Sequence, residues 1–212
     1  MTDHYHHEPH PIQNVDDTKL GYYEALCWAL RDELIDSGLI TADGVRSALE
    51  TMESKGVHLG AELVVNAWLD GDFKQSLLRN GKKAAAEVGV ELSEADLVVV
   101  ENTDNVHNLI VCTLCSCYPR SLLGQPPSWY VSKTYRSRAV RDPRGVLHEF
   151  GLNVPSEVQV RVHDSSADMR YMVLPKQPES TKNWPREKLK ELITRDMLVG
   201  VAVVQPPIIP AE

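Results

Sequence analysis

Cysteines and long apolar runs are both scarce in this sequence. The chain of 212 residues has four cysteines, Cys27, Cys112, Cys115 and Cys117, and three of them are clustered. A secreted disulfide scaffold uses more cysteines at wider spacing, so this class is excluded. No apolar run is long enough to span a bilayer, and residues 1–16 lack the apolar segment of a signal peptide. We therefore expect a cytoplasmic protein without a membrane partner.

Basic residues are outnumbered by acidic ones. The 22 Lys and Arg residues stand against 30 Asp and Glu residues, which gives a net charge of -8. Nucleic acids and anionic membranes both require basic patches, so neither is expected as a partner. Hydrophobic residues make up 42% of the chain, and at this length they can bury a core without disulfides.

Hydrophobic periodicity divides the chain into a helical part and a mixed part. Helical spacing recurs in the segments 18–39, 41–52, 60–78 and 82–88, with Thr41 as a candidate N-cap and Asp70–Asp72 as a candidate break. Short β-branched runs predict strands at 97–100 and 109–111, alternation predicts one at 158–162, and similar apolar runs predict two more at 171–174 and 199–204. Pro185 opens one more helix. Pro206, Pro207 and Pro210 are expected to end the ordered structure.

These patterns predict an α+β fold in three parts. Residues 1–16 carry His4, His6, His7 and His10 and are expected to form a disordered His-rich tail; a metal-gathering arm is the alternative. Residues 17–90 form a helical N-terminal arm whose apolar stripe favours contact with a partner chain over packing on its own domain. Residues 91–212 form an α+β domain. Cys27, on the stripe of the arm, is expected to be a small hydrophobe rather than a ligand.

The thiol cluster carries the chemistry. Cys112 follows a predicted strand, and Cys115 and Cys117 flank Ser116. The three sulfurs, with the backbone nitrogens of Ser116 and Cys117, can supply five positions of an octahedron and leave one open. Structural zinc needs a fourth ligand such as His107, an iron–sulfur cluster needs a fourth cysteine, and neighbouring thiols can also form a redox disulfide. Ligand softness favours an open transition-metal site over these alternatives.

The segment Val111–Pro119 resembles the metal-binding motif of the nitrile hydratase α subunit. Four further segments resemble the same family: Val100–Asp104, Leu123–Tyr130, Tyr135–Arg138 and Arg170–Pro175. The resemblance covers residues 18–204 and implies a layered α-β-β-α catalytic domain, with the metal loop after a strand, behind the helical arm.

The resemblance also implies the metal and its ligands. The metal in this family is low-spin cobalt(III) or iron(III), here bound by Cys112, Cys115, Ser116 and Cys117, with Ser116 and Cys117 contributing backbone nitrogens. Cys115 would be a cysteine sulfinic acid and Cys117 a cysteine sulfenic acid. Thr113 and Tyr118 match the cobalt branch, so cobalt is favoured and iron is less expected.

The implied reaction is hydration of a nitrile to an amide by a lyase. Cys117, Cys115 and Ser116 are the candidate catalytic residues, and water or the Cys117 sulfenate oxygen would attack the activated nitrile carbon. The family further implies a heteromer with a β subunit of one chain or two, whose arginines bind the oxidised sulfurs, and a metal-insertion chaperone.

Arg120 departs from the cobalt nitrile hydratases, many of which have Trp after Tyr-Pro. Arg120 instead resembles thiocyanate hydrolase, which converts thiocyanate to carbonyl sulfide and ammonia through a related cobalt-binding γ subunit. Arg120 and Tyr118 are the candidate substrate-binding residues, and His163 is a further pocket candidate. We favour nitrile hydration over thiocyanate hydrolysis. A large polar nitrile, such as the nucleoside toyocamycin, would also suit Arg120.

The basic run Arg136, Arg138, Arg141 and Arg144 has two interpretations. It is either a solvated face with ion pairs or a device that compensates an anionic site and anchors the partner subunit.

Overall fold

The computed structural model describes residues 21–115 and 117–205. The His-rich tail, Ser116 and the prolines Pro206, Pro207 and Pro210 lie outside the described residues, so the predictions made for them stay predictions. The chain divides into two compact units, Met1–Leu49 and Glu50–Glu212. No helix in the described part of the chain is both long and apolar enough to cross a membrane.

The first unit contains helix α1 (Tyr22–Asp36) and the start of α2 (Ala42–Glu53). The predicted N-cap of α2 is confirmed, because the Thr41 hydroxyl accepts a hydrogen bond of 3.0 Å from the backbone nitrogen of Gly44. No residue of α1 is buried. Cys27 is accordingly exposed, and its expected role as a small hydrophobe on the arm stays a prediction.

Three helices open the second unit: α3 (Val57–Leu69), α4 (Gly71–Arg79) and α5 (Gly81–Glu87). The predicted break between α3 and α4 is confirmed. Asp70 is extended there, and its carboxylate accepts hydrogen bonds from the backbone nitrogens of Asp72 and Phe73. The helices contribute Leu63, Val64 and Leu77 to the hydrophobic core.

The four strands found among the described residues form two parallel pairs. Strand β1 (Asp96–Glu101) pairs with β4 (Met169–Leu174), and β2 (Val106–Val111) pairs with β3 (Gln159–Asp164). Each pair joins a strand that precedes the cysteine loop to one that follows it by more than forty residues. The predicted strands at 97–100, 109–111, 158–162 and 171–174 are confirmed to within a few residues at their ends.

Short helices fill the chain between β2 and β3 and after β4. They are α6 (Arg120–Leu123), α7 (Ser128–Val131), α8 (Lys133–Arg141), α9 (Pro143–Glu149), α10 (Arg186–Glu191) and α11 (Arg195–Val199), with a single 3-10 turn at Glu179–Thr181. The predicted helix after Pro185 is confirmed as α10. Edge-to-face contacts of Trp129 with Tyr135 and Phe150 join α7, α8 and the end of α9.

The strand predicted at residues 199–204 is wrong. Val199 ends α11, and Gly200 follows with a φ of +93°, a left-handed conformation that terminates the helix. The β-branched residues around Gly200 are buried in the core without pairing as a strand. The predicted arm covered residues 17–90, whereas the first compact unit ends at Leu49. Helices α3–α5 fall within the predicted arm but pack in the core of the second unit. The division of the chain into functional domains remains a prediction.

Candidate metal centre

The three clustered cysteines converge directly after β2. The Sγ atom of Cys115 lies 3.3 Å from that of Cys112 and 3.0 Å from that of Cys117. All three sulfurs lie within 4.8 Å of one another, and no other group of three His, Cys, Asp or Glu side chains converges in this way within residues 21–115 and 117–205. Cys112 is buried at the strand end, whereas Cys115 is exposed. The loop is therefore anchored at its buried end by Cys112, and Cys115 lies on its solvent-exposed side.

Hydrogen bonds from β3 and α8 hold this loop. The Asp164 carboxylate accepts hydrogen bonds from the backbone nitrogen of Thr113 at 2.9 Å and from its hydroxyl at 2.5 Å. The Arg136 guanidinium donates to the carbonyl oxygens of Cys112, Thr113 and Leu114 at 3.1, 2.9 and 3.0 Å. One carboxylate and one guanidinium thus fix both the donors and the acceptors of the same turn.

Buried tyrosines support the two ends of the loop. The Tyr130 hydroxyl donates to the carbonyl oxygen of Cys117 at 2.9 Å, and the Tyr135 hydroxyl donates to the carbonyl oxygen of Ile110 at 2.6 Å. Burial raises the pKa of both hydroxyls above the ordinary range for tyrosine, so both remain neutral donors.

The electrostatics of the cluster disfavour a thiolate whose charge is not compensated. Burial, together with the neighbouring thiols of Cys115 and Cys112, raises the pKa of Cys117 to about 12, and the positive charge of Arg170 opposes this shift. A metal ion reverses the balance, because it stabilises the thiolate forms that bind it. Three convergent soft donors fit a transition-metal ion, and Cys112, Cys115 and Cys117 are the side chains that would hold it. The backbone nitrogen predicted from Ser116 lies outside the described residues.

A cavity of about 470 Å³ opens beside Cys115 and Cys117. We call it the cysteine cavity. The predicted substrate-binding residues Tyr118 and Arg120 both line it, as do Glu94 and Arg170. Tyr118 is buried, and its hydroxyl has no hydrogen-bond partner within the described residues; the same holds for the Nε atom of Arg170. The cavity therefore combines thiols, two guanidinium groups and unsatisfied donors.

Sequence reasoning missed Glu94, Asp164 and Arg170 as residues of this site. Asp164 reaches the loop because the register pairs it with Val111, immediately before Cys112. A pairing between distant strands leaves no local signal in the sequence. Arg170 lies in a segment that resembles the family, and this was the one signal that pointed to its neighbourhood.

Two histidines proposed as site residues lie elsewhere. His107 is buried on β2, with Nε2 2.7 Å from the carbonyl oxygen of Gly200, so it does not serve as the fourth ligand of a zinc site. His163 lies on β3 with Nε2 2.8 Å from the Asn108 side-chain oxygen, and it does not line the cysteine cavity.

The four arginines of the basic run do not share one role. Arg136 holds the cysteine loop, and Arg138 forms an ion pair with Glu149 at 2.7 Å. Arg144 donates to backbone carbonyls, including that of Val154 at 2.9 Å. Arg138 thus takes part in surface ion pairs, whereas Arg136 acts directly on the loop. Whether the run anchors a partner subunit stays a prediction.

A fold of helices and strands that carries three convergent cysteines on one loop is typical of a class of metal-binding enzyme subunits. Residues 21–202 match the family described as nitrile hydratase, alpha chain. The chain belongs to this family, and it is an enzyme subunit that binds the metal. A partner subunit follows from this membership.

Two curated relatives illustrate the similarity. The chain is 49% identical over 181 residues to the low-molecular weight cobalt-containing nitrile hydratase subunit alpha of Rhodococcus rhodochrous, covering 84% of this chain and 87% of the relative. It is 42% identical over 209 residues to the thiocyanate hydrolase subunit gamma of Thiobacillus thioparus, covering 93% and 84%.

Solved structures agree on the fold. A thiocyanate hydrolase point mutant superposes with a TM-score of 0.83 at 41% identity, covering 90% of this chain and 93% of that one. A double mutant of the Fe-type nitrile hydratase from Comamonas testosteroni Ni1 also gives a TM-score of 0.83, at 39% identity, covering 90% and 95%. The predicted α+β fold class is confirmed, and the structural similarity extends to a thiocyanate hydrolase and to an Fe-type nitrile hydratase.

Proposed function

We propose that this chain is the α subunit of a cobalt-containing nitrile hydratase that converts a polar or bulky nitrile to its amide. The observation that carries the proposal is the convergence of Cys112, Cys115 and Cys117 beside a cavity lined by Arg120. The similarity to cobalt-containing nitrile hydratase subunits supports the choice of metal and reaction. We place this activity in a cytoplasmic heteromer with a β subunit of one chain or two, loaded by a metal-insertion chaperone.

The metal ligands in this proposal are Cys112, Cys115, Ser116 and Cys117. When bound, a trivalent cobalt ion supplies a Lewis acid that polarises a carbon–nitrogen triple bond. Cys115 is proposed to be a sulfinic acid and Cys117 a sulfenic acid, the two lower steps of cysteine oxidation beyond the thiol. The oxygen of Cys117 would either orient the water that adds to the nitrile carbon or attack that carbon itself, in which case a water molecule would replace the oxygen lost from Cys117.

The remaining residues of the cysteine cavity position the substrate and balance charge. Arg120 offers N–H donors to an acceptor atom of the substrate, and the Tyr118 ring forms part of the wall. The positive charge of Arg170 opposes the rise in the pKa of Cys117, and it would also favour the anionic, oxidised sulfurs. Residues 91–212 are proposed as the catalytic domain and residues 17–90 as the arm that contacts the partner.

Thiocyanate hydrolysis is the second candidate, and one observation favours it. Arg120 places a cation in the cysteine cavity, where an anionic substrate such as thiocyanate would be attracted. The relative from Thiobacillus thioparus is named as a thiocyanate hydrolase subunit. The two reactions have different products, so one assay separates them.

The test uses the purified complex of this chain with its partner. Amide formed from a nitrile supports the proposal, whereas carbonyl sulfide and ammonia formed from thiocyanate, with no amide, would replace it. Cys115→Ala and Cys117→Ala should each abolish turnover, and Cys27→Ala is the matched control because Cys27 is an exposed thiol in α1. Elemental analysis showing zinc, with unmodified cysteines by peptide mass, would instead indicate a structural zinc loop.

A further inference from the structure

A separate cavity of about 430 Å³ lies where the parallel strands β1 and β4 end. The last paired residues of these strands are Glu101 and Leu174. The residues that follow them in the chain, Asn102 and Pro175, both line the cavity, and so does His107 near the start of β2. We call it the His107 cavity.

The metal loop has the same position relative to the other pair of strands. Val111 and Asp164 form the last register pair of β2 and β3, and Cys112 follows Val111 directly. The His107 cavity and the cysteine cavity have no lining residue in common. In open α/β sheets, ligands bind outside the carboxyl ends of parallel strands. Each parallel pair of this fold thus has a separate candidate site at its carboxyl end.

The walls of the His107 cavity are mostly apolar. They include the partly buried side chains of Leu152 and Val154. The three charged residues that line the cavity, Asp104, Lys176 and Glu179, already take part in ion pairs. A volume of this size lies within the roughly 300–1,000 Å³ typical of small-molecule sites. These properties favour a neutral ligand with an apolar body.

Two buried polar side chains, Asn102 and His107, supply the hydrogen-bonding groups, and each is 5% exposed. The Asn102 side-chain oxygen accepts from the backbone and side-chain nitrogens of Asn108 at 2.8 and 3.0 Å, which fixes the orientation of the amide. Its Nδ2 atom lies 3.5 Å from Nδ1 of His107, and no second partner for Nδ2 is found among the described residues. A buried amide nitrogen therefore retains an unused N–H donor.

His107 supplies an acceptor beside that donor. Its Nε2 atom lies 2.7 Å from the carbonyl oxygen of Gly200, which can only accept, so in the neutral ring Nε2 carries the proton and Nδ1 accepts. Burial lowers the pKa of His107 and so favours the neutral ring. A primary carboxamide matches this pair, because its oxygen accepts and its nitrogen donates. A ketone or a carboxylate has no hydrogen to give to Nδ1.

We propose that the His107 cavity binds a small primary carboxamide with an apolar body. The amide group would lie at Asn102 and His107, and the body would lie among the aliphatic walls. A primary carboxamide is also the product class of nitrile hydration, so the inference rests on the proposed function for the origin of this ligand. The subunit would then bind its product at a site separate from the metal centre.

The test is a calorimetric titration of benzamide into the purified complex of this chain with its partner. Val203→Phe and Val154→Phe each fill the cavity from its wall, and each should lower the affinity for benzamide about tenfold or more, which is about 1.4 kcal/mol. The kcat/KM for acetonitrile should keep its wild-type value in both, which places the lost binding away from the metal centre. Val140→Phe is the control, because Val140 is exposed and does not line this cavity.

A second titration uses acetophenone, in which a methyl group replaces the amide nitrogen of benzamide. The wild type should bind it about tenfold more weakly than benzamide or worse, since Nδ1 of His107 receives no hydrogen from it. Equal binding of the two compounds would overturn the proposed selectivity.

Three further outcomes would overturn the site itself. The wild type could fail to bind benzamide, or both cavity-filling variants could bind it as the wild type does. Both variants could also fail to form the heteromer in size-exclusion chromatography, which would identify the cavity as a contact for the partner subunit. A complex that shows the expected losses of benzamide affinity but hydrates no nitrile would support this site and refute the proposed function.

Discussion

One guanidinium on α8 bridges several carbonyl oxygens of the cysteine loop. Arg136 donates to three successive carbonyl oxygens, those of Cys112, Thr113 and Leu114. A hydrogen bond from a charged group contributes roughly 1.5–3 kcal/mol, and less where solvent reaches it. Because the planar fork serves several acceptors at once, the compact ammonium of lysine cannot replace it fully.

We expect Arg136→Met to lower the fraction of metal retained after dialysis against a chelator. Loss of one such bond corresponds to a change of about tenfold in an equilibrium constant, and Arg136→Lys should give an intermediate value. Arg141→Met, on the same helix, is the control and should retain metal as the wild type does. Wild-type retention in Arg136→Met would show that the loop keeps its geometry without these bonds.

His107 introduces a dependence of stability on pH. Burial lowers its pKa, and the hydrogen bond to the Gly200 carbonyl partly offsets that effect. The neutral ring donates from Nε2 to this carbonyl and leaves Nδ1 to accept from the Asn102 amide at 3.5 Å. Since the folded pKa lies below the unfolded value of about 6.5, the stabilisation is present above pH 6.5 and is lost as the pH falls from there towards the folded pKa.

Replacing this histidine should therefore reduce acid sensitivity. His107→Gln keeps an amide donor for Gly200 and has no proton to take up on unfolding. We measure the free energy of unfolding by urea denaturation between pH 7.5 and 5. The free energy of the wild type should fall more steeply than that of His107→Gln, and the two slopes should differ by at most about 1.4 kcal/mol per pH unit. His148→Gln alters an exposed histidine and should behave as the wild type. Equal acid sensitivity in all three proteins would contradict the assignment.

At the scale of elements, the turn after α11 depends on glycine. Gly200 has a φ of +93°, and a Cβ atom there would collide with the carbonyl oxygen of Asn108 on β2. Gly89 has a φ of +78°, but a Cβ atom there would meet nothing within 4 Å. Both positions have a left-handed backbone conformation, but only Gly200 lacks room for a side chain.

We expect Gly89→Ala to cost about 1–2 kcal/mol through its left-handed conformation alone. Gly200→Ala should cost that amount plus about 1–3 kcal/mol for overpacking against β2. Urea unfolding of the two variants measures the difference. If both lose the same stability, the close approach of α11 to β2 is not a constraint.

The segment around Gly200 shows why some strands could be predicted from the sequence and others could not. The run at 97–100 is rich in valine, the run at 171–174 is apolar with a single valine, and both lack glycine and form strands as predicted. The run at 199–204 is equally β-branched, but Gly200 turns the chain away before it can pair. Helices α6–α9 were not predicted because they are short and mix basic with aromatic residues, so helical periodicity has too few turns to emerge.

Some residues of the candidate metal centre could be predicted from the sequence, and others could not. The cysteine cluster, Tyr118 and Arg120 are contiguous in sequence, so their grouping was predictable. Glu94 and Asp164 come to the site from residues remote in sequence, one before β1 and one at the end of β3. Their positions follow from strand register and from the path of the chain, which only the folded structure contains.

At the scale of the whole molecule, helix α1 shows a surface that its own unit does not bury. Tyr22, Tyr23, Leu26, Trp28 and Leu30 are all about half exposed or more, from 49% to 78%. A contiguous group of large apolar side chains on one helix is typical of a surface that another chain covers. Membership of a multi-subunit enzyme family makes the partner subunit the expected occupant.

We therefore expect Leu26→Asp combined with Leu30→Asp to weaken the heteromer by at least about tenfold in Kd, because two charged groups would be buried where apolar ones bind. Analytical ultracentrifugation of the mixed subunits measures this. Glu33→Gln on the same helix is the control, since it changes an exposed polar residue and should assemble normally. Circular dichroism must show an unchanged fold in both variants, and full assembly of the double variant would mean that the partner binds elsewhere.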